Sequence, residues 1–166
     1  MDGFQIAATV IFFTMMFGQG IISGLNITYV PTIYPDQRQA MTWIAANTEP
    51  RSNFVIVTGM SWVHDDFTEW FPAIAQRHSV NTAQGTEWLP NFADRIDHYN
   101  ELVQCSAKTI QCVENWAAWT NSAFTYVVLN SATFNDSTLR QSLITSPNYE
   151  LVYESANVTI FKHTDF

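Results

Sequence analysis

The sequence is short of basic residues, cysteine and glycine, and each shortage excludes a class of protein. Seven Lys and Arg residues stand against 15 Asp and Glu residues, for a formal net charge of -8, so we expect no nucleic-acid partner. Two cysteines are too few for a cysteine-rich scaffold or a four-thiolate zinc site. No glycine-rich phosphate loop follows the first predicted strand, and we therefore expect no nucleotide cofactor.

Apolar residues dominate instead. They make up 47% of the 166 positions, which is too many for a disordered chain and enough to build the core of one domain.

The N-terminal segment is the most apolar part of the chain. Residues 4–25 contain no Asp, Glu, Lys or Arg, and about 20 mostly apolar residues in a helix suffice to cross a bilayer. We predict a single transmembrane helix over residues 1–25, a proline-containing tether over 26–35 and an extracytoplasmic domain over 36–166. A cleaved signal peptide and a buried soluble helix are the alternatives, but the start lacks Lys and Arg and the apolar run is too long for a signal peptide.

One face of this predicted helix carries small residues. Gly18, Gly20 and Gly24 would let another helix approach closely, and Gln19 would need a polar partner or a place near the interface. The expected partners are therefore other integral membrane proteins and the lipid bilayer.

The two cysteines indicate in which cellular compartment the domain lies, because a disulfide persists mainly in an oxidising one. Cys105 and Cys112 would lie about 10.5 Å apart along an unbroken helix, which is beyond disulfide reach. We predict a disulfide only if the helix breaks over residues 106–109 and the domain faces an oxidising compartment; two unrelated buried thiols are the alternative. Glycosylation triplets at Asn26, Asn135 and Asn157 agree with an extracytoplasmic location but are common by chance. The Lys and Arg residues that flank the N-terminal helix are too few to indicate its orientation in the membrane.

Strand and helix patterns alternate in the remainder. The patterns predict strands over 53–58, 78–83 and 124–129, helices over 36–47, 92–103, 110–119 and 137–146, and a closing hairpin over 149–162. We expect an α/β sandwich with a mostly parallel sheet and a C-terminal antiparallel hairpin.

Two loops follow the first two predicted strands, at the sheet edge where ligands usually bind. The first contains Trp62 and Trp70, and the second contains Glu87 beside Trp88. Three interpretations stay open for these residues: contact with a glycan, a protein interface, or packing over the core. A metal site at His64, Asp65, Asp66 and Glu69 is a weaker interpretation than a solvated loop, because adjacent side chains point apart and no second histidine supports them.

Several segments together resemble a known domain. These segments, residues 41–48, 54–59, 69–73, 84–88 and 149–154, are similar to the C-terminal extracytoplasmic domain of bacterial multi-spanning glycosyltransferases of the protein-mannosyltransferase type. Residues 1–25 resemble the last transmembrane helix of those enzymes. The resemblance implies a lipid-linked sugar donor, but it assigns no catalytic residue here, because the catalytic acid of such enzymes lies in an earlier membrane segment.

Three functions follow from these features. The first is a non-catalytic, single-pass accessory subunit of a larger membrane complex, of which a respiratory or photosynthetic assembly is one example. The second is the glycan- or acceptor-binding portion of a split or truncated glycosyltransferase. The third, the least supported, is a hydrolase or metal enzyme built around His64, Asp65 and Glu69.

Overall fold

The computed structural model describes residues 3–25, 33–130 and 137–164, apart from the side chains of Phe4 and residues 20–25. Its contacts divide the chain into two compact units, Met1–Pro31 and Thr32–Phe166. The first unit holds helix α1, and the second is an α/β domain.

Helix α1 covers Gly3–Leu25, so the predicted N-terminal helix is present. The hydroxyls of Thr9 and Thr14 donate to the carbonyls of Gln5 and Val10, which satisfies them within the helix. Of the helices that the structure describes, none combines the length and the apolarity that a membrane crossing requires. Most of the predicted tether, residues 26–32, lies outside the described residues, and its last residue, Pro35, begins the next helix.

The α/β domain has five strands and five helices among its described residues. The strands are β1 (Asn53–Val57), β2 (His78–Ser79), β3 (Tyr126–Asn130), β4 (Tyr149–Glu154) and β5 (Val158–His163). The helices are α2 (Pro35–Asn47), α3 (Asp66–Ala75), α4 (Phe92–Val103), α5 (Ile110–Thr120) and α6 (Thr138–Thr145). The sheet order is β2-β1-β3-β5-β4; β1 pairs in parallel with β2 and β3, and β5 pairs antiparallel with β3 and β4. The α/β fold and the antiparallel hairpin are confirmed, but two of the four pairings are antiparallel, so the sheet is mixed and not mostly parallel.

Helices cover both faces of the sheet. Alternate residues of the central strands point to opposite faces, so Phe54 and Ile56 belong to one core and Val55 and Val57 to the other. Residues of α2 and α3 fill the first core, and residues of α4, α5 and α6 fill the second. The domain is therefore a three-layer α/β/α sandwich.

Strand β2 is shorter than the predicted strand over 78–83. Beyond Ser79 the pairing with β1 is continued partly by a side chain: the Asn81 amide accepts from the backbone N–H of Ile56 and donates to its carbonyl, both at 2.9 Å. The prediction was wrong about length because Asn81 replaces the backbone hydrogen bonds of an additional strand residue.

Helix α3 corrects a second prediction, since residues 62–72 were interpreted as a loop. Pro72 lies inside this helix and has no N–H for the carbonyl of Thr68. The hydroxyl of Thr82 donates to that carbonyl instead, at 3.1 Å, so the carbonyl keeps a partner. This replacement comes from a residue 14 positions away, which local sequence patterns do not reveal.

The cysteines form the predicted disulfide. Helix α4 ends at Val103, a 3-10 turn covers Gln104–Ala107, and α5 begins at Ile110. This break brings the Cα atoms of Cys105 and Cys112 to 5.5 Å, with the sulfurs bonded.

Candidate functional site

The polar and aromatic residues singled out in the sequence lie mainly on two loops at the carboxyl ends of β1 and β2. We call residues 58–65 the first loop and residues 80–91 the second loop. Each loop turns at a glycine with positive φ, Gly59 at 70° and Gly85 at 78°, a conformation that other residues rarely adopt.

The first loop is built around the buried carboxylate of Asp65. Its Oδ1 accepts from the backbone N–H of Thr68 at 3.0 Å, which caps the start of α3. Its Oδ2 accepts from the hydroxyls of Thr58 (2.6 Å), Thr68 (2.7 Å) and Tyr99. Four donors therefore converge on one carboxylate, and they connect the end of β1, the start of α3 and the middle of α4.

Tyr99 is held in its protonated form by this arrangement. Burial raises the pKa of the Tyr99 phenol far above its usual value, and the negative charge of Asp65 raises it further. The phenol thus remains a hydrogen-bond donor, and both carboxylate oxygens of Asp65 are occupied. We interpret this cluster as structural: it fixes the first loop and is not arranged for proton transfer.

Gln84 connects the second loop to the first. Its Nε2 donates to the carbonyl of Trp62 at 2.5 Å and, at 3.4 Å, to that of Asp65. The two loops therefore share direct hydrogen bonds, and the side chains they present to solvent are carried on one connected framework.

Large apolar side chains project from this framework. Trp88 is 77% exposed and Val63 is 63% exposed, and Met60 and Leu89 are also exposed. We call these four residues the apolar rim. The interpretation of Trp88 as a core-packing residue is wrong, because so exposed an indole has little protein around it.

The other predicted contact residues have different surroundings. The Glu87 carboxylate accepts from the backbone N–H of Gly85 at 3.1 Å, so it stabilises the turn that carries Trp88. Trp62 is half-buried with its ring edge-on to Phe92, the ring centres 5.6 Å apart. Trp70 is exposed on α3, whereas its neighbour Phe71 is fully buried. Of these tryptophans only Trp62 partly fits the interpretation of packing over the core, whereas Phe71 does so fully.

The acidic residues near His64 are not arranged as a metal centre. His64 and Glu69 are exposed, while Asp65 is buried and bonded to the donors described above. Across the described ranges, no three His, Cys, Asp or Glu side chains are grouped so that they would hold a metal ion.

The sequence analysis missed the role of Asp65, which it considered only as a metal ligand. A local signal was present: Asp is a favoured N-cap residue, and acidic Asp66 and Glu69 follow Asp65 within the first turn, which is typical of a helix N-terminus. The contribution of Tyr99 had no such signal, since it lies 34 positions from Asp65.

Helix α1 presents the largest set of exposed apolar side chains. Eight of its Ile, Val, Phe and Met side chains are at least half exposed: Ile6, Val10, Ile11, Phe12, Phe13, Met15, Met16 and Phe17. On the predicted packing face, a Cβ added at Gly18 would meet no other atom within 4 Å, and Gln19 is exposed. The surroundings of Gly20 and Gly24 lie outside the described residues.

The fold and these surfaces define a three-layer α/β domain with an exposed apolar rim, next in the chain to an apolar helix. No protein-family model matches the sequence, and no curated protein matches it.

Proposed function

We propose that the chain is a non-catalytic accessory subunit of a larger membrane protein complex, held there by α1 as a single-pass helix, with the α/β domain on the extracytoplasmic side. A respiratory or photosynthetic complex is one host of this kind. The observation that carries the proposal is the exposed apolar surface of α1.

This surface surrounds the helix. Successive helical residues are rotated by about 100°, so Val10, Ile11, Phe12 and Phe13 together point to every side. A helix on the surface of a soluble domain has one apolar stripe, whereas a helix that is apolar all round is normally surrounded by lipid or by other helices. The absence of Asp, Glu, Lys and Arg from residues 3–25 supports the same environment.

Two features of the α/β domain support the remaining parts of the proposal. Structural disulfides such as Cys105–Cys112 persist mainly outside the reducing cytoplasm, which favours the extracytoplasmic side. The apolar rim offers a partner four large side chains on a connected framework, and exposed aromatic and apolar side chains of this kind are typical of protein interfaces.

One observation favours the alternative of a glycan-binding portion of a glycosyltransferase. The exposed ring of Trp88 is free to stack on a sugar. Glu87, the expected acceptor for the sugar hydroxyls, has one carboxylate oxygen bonded to Gly85, and this weakens the glycan interpretation relative to the protein interface.

The proposal is tested by mild detergent extraction from the native membrane, followed by native electrophoresis and mass spectrometry. Co-migration with other membrane proteins at fixed stoichiometry supports an accessory subunit. Migration as a monomer contradicts it, and co-migration with a multi-spanning transferase favours the alternative.

A matched pair of tryptophan variants tests the apolar rim. Trp88→Ala should weaken association roughly thirtyfold and so lower the fraction of chain recovered in the complex, because truncating a central interface tryptophan costs about 2 kcal/mol or more. Trp119→Ala is the control, since Trp119 is also largely exposed but belongs to helix α5 and to neither loop. Equal recovery of the two variants would show that the rim does not bind the partner. Loss of binding to a glycan array by Trp88→Ala alone would support the alternative.

A further inference from the structure

Three arginines of the α/β domain are at least partly buried, and one of them differs from the others. Arg77 donates to the carbonyls of Ala45, Thr48 and Gln76 at 2.6–2.9 Å. Arg140 forms an ion pair with Glu154 at 2.5 Å. Arg95, on α4, differs because, within the described part of the chain, none of its guanidinium nitrogens donates a hydrogen bond and no acidic side chain lies at ion-pair distance, although its Nε is buried.

Arg95 lines a cavity of about 230 Å³. The cavity lies between the second loop, α4 and the C-terminal end of α5, and its polar and aromatic walls include Asn91, Arg95, His98, Trp116, Thr120 and Ser122. No Asp or Glu is among the residues that line it. In a chain with 15 acidic residues and a net charge of -8, a cavity that holds an unpaired cation and excludes carboxylates is unusual.

The hydrogen bonds already made in this cavity indicate which groups remain for a ligand. The indole N–H of Trp116 donates to the carbonyl of His98 at 2.7 Å, and the hydroxyls of Thr120 and Ser122 donate to backbone carbonyls. Asn91, at the start of α4, uses no side-chain bond to cap the helix. The free donors are therefore the guanidinium of Arg95, the amide of Asn91 and a ring nitrogen of His98.

We propose that this cavity binds a small ligand through an oxyanion, either a carboxylate or a phosphate. A buried N–H without an acceptor is unfavourable, and an oxyanion would supply two acceptors to the planar guanidinium at once. The volume suits a small acid and is below the range of about 300–1,000 Å³ typical of larger ligands. The inference does not depend on the membrane function proposed above.

The test is an NMR titration of the full-length chain in detergent micelles with inorganic phosphate and, separately, succinate. The Arg95 Nε–H resonance, assigned by its absence from Arg95→Gln, should shift and saturate with one or both ions. The dissociation constant should rise at least roughly tenfold in Arg95→Gln, read from backbone amides around the cavity, because a charged hydrogen-bond donor is lost. Arg51→Gln, which removes an exposed arginine, should bind like the wild type.

His98→Gln is the second variant, because it keeps the backbone carbonyl that Trp116 requires. It should weaken binding while the thermal unfolding midpoint stays near that of the wild type. Saturation by phosphate alone identifies a phosphate site, and saturation by succinate alone identifies a carboxylate site. An Arg95 signal that shifts no more with either ion than with equal ionic strength of chloride would overturn the proposal, as would unchanged affinity in Arg95→Gln.

Discussion

Helix α1 and the α/β domain differ in what surrounds their apolar side chains. In the α/β domain, the large apolar residues of four strands and five helices fill two cores, and Met41, Phe71 and Leu139 are completely buried. In α1, side chains of the same kinds, such as Met15 and Phe17, are exposed. The domain thus buries its apolar side chains in its own contacts, whereas those of α1 remain exposed.

The same contrast recurs on a smaller scale between the two loops. The first loop directs Asp65 inward, where four donors surround it. The second loop directs Trp88 outward. Substitutions inside the domain should therefore change its free energy of unfolding, and substitutions on exposed apolar surfaces should change association instead.

The largest effect is expected at the centre of the first loop. Asp65→Ala leaves three hydroxyls and one N–H without their acceptor, and each buried donor without a partner costs about 1–3 kcal/mol. We expect the free energy of unfolding to fall by about 3 kcal/mol or more, measured by urea titration with circular dichroism. Asp66→Ala is the control and should cost less than about 1 kcal/mol, since it removes only a favourable charge in the first turn of α3. Similar losses in the two variants would contradict the role of Asp65.

Phe13→Arg in α1 is the counterpart of Asp65→Ala: it changes an exposed apolar surface and leaves the interior of the domain unchanged. The ring of Phe13 contacts Phe12 and Phe17 of its own helix, so the unfolding of the α/β domain should not change. Membrane insertion should become less favourable by about 3 kcal/mol, because an arginine at the centre of a membrane helix is costly. The measurement is the fraction of chain that remains in the membrane pellet after an alkaline wash.

Phe13→Leu keeps the side chain apolar and should remain in the pellet. If Phe13→Arg also remains there, α1 is not held by lipid, and the membrane part of the proposed function is wrong.

The sequence predicted the fold better than it predicted the site. Periodicity located α4 at residues 92–103, because one apolar stripe faces the core, and it located the hairpin strands β4 and β5. Helix α3 was missed because Pro72 is normally a helix breaker, and the hydroxyl that compensates for it comes from a distant residue.

The site depends on contacts that a linear sequence does not contain. Asp65 lies 34 positions from Tyr99, and Arg95 becomes notable only because three-dimensional packing leaves its Nε without an acceptor. The exposure of Trp88 is likewise a result of packing, since the same residue type is buried at Trp116.

The disulfide should contribute to the free energy of unfolding of the α/β domain but not to membrane association. Replacing both Cys105 and Cys112 by Ala opens a loop of eight residues, for which the loss of chain constraint corresponds to about 2.5 kcal/mol. We expect this decrease in the free energy of unfolding by urea titration, with no change in the pelleted fraction. A wild-type chain whose stability does not change on addition of a reductant strong enough to open the bond would contradict the prediction.

The smallest effect is expected at the bond between Thr82 and α3. Thr82→Val removes the hydroxyl that donates to the Thr68 carbonyl, and we expect a loss of about 1 kcal/mol in the free energy of unfolding. In a Pro72→Ala background the new N–H of residue 72 is able to donate to that carbonyl within the helix, so the same substitution should cost clearly less. Urea titrations of the four variants of this double-mutant cycle measure the difference. An equal cost in both backgrounds would show that Thr82 does not compensate for the proline, because the two substitutions would then act independently.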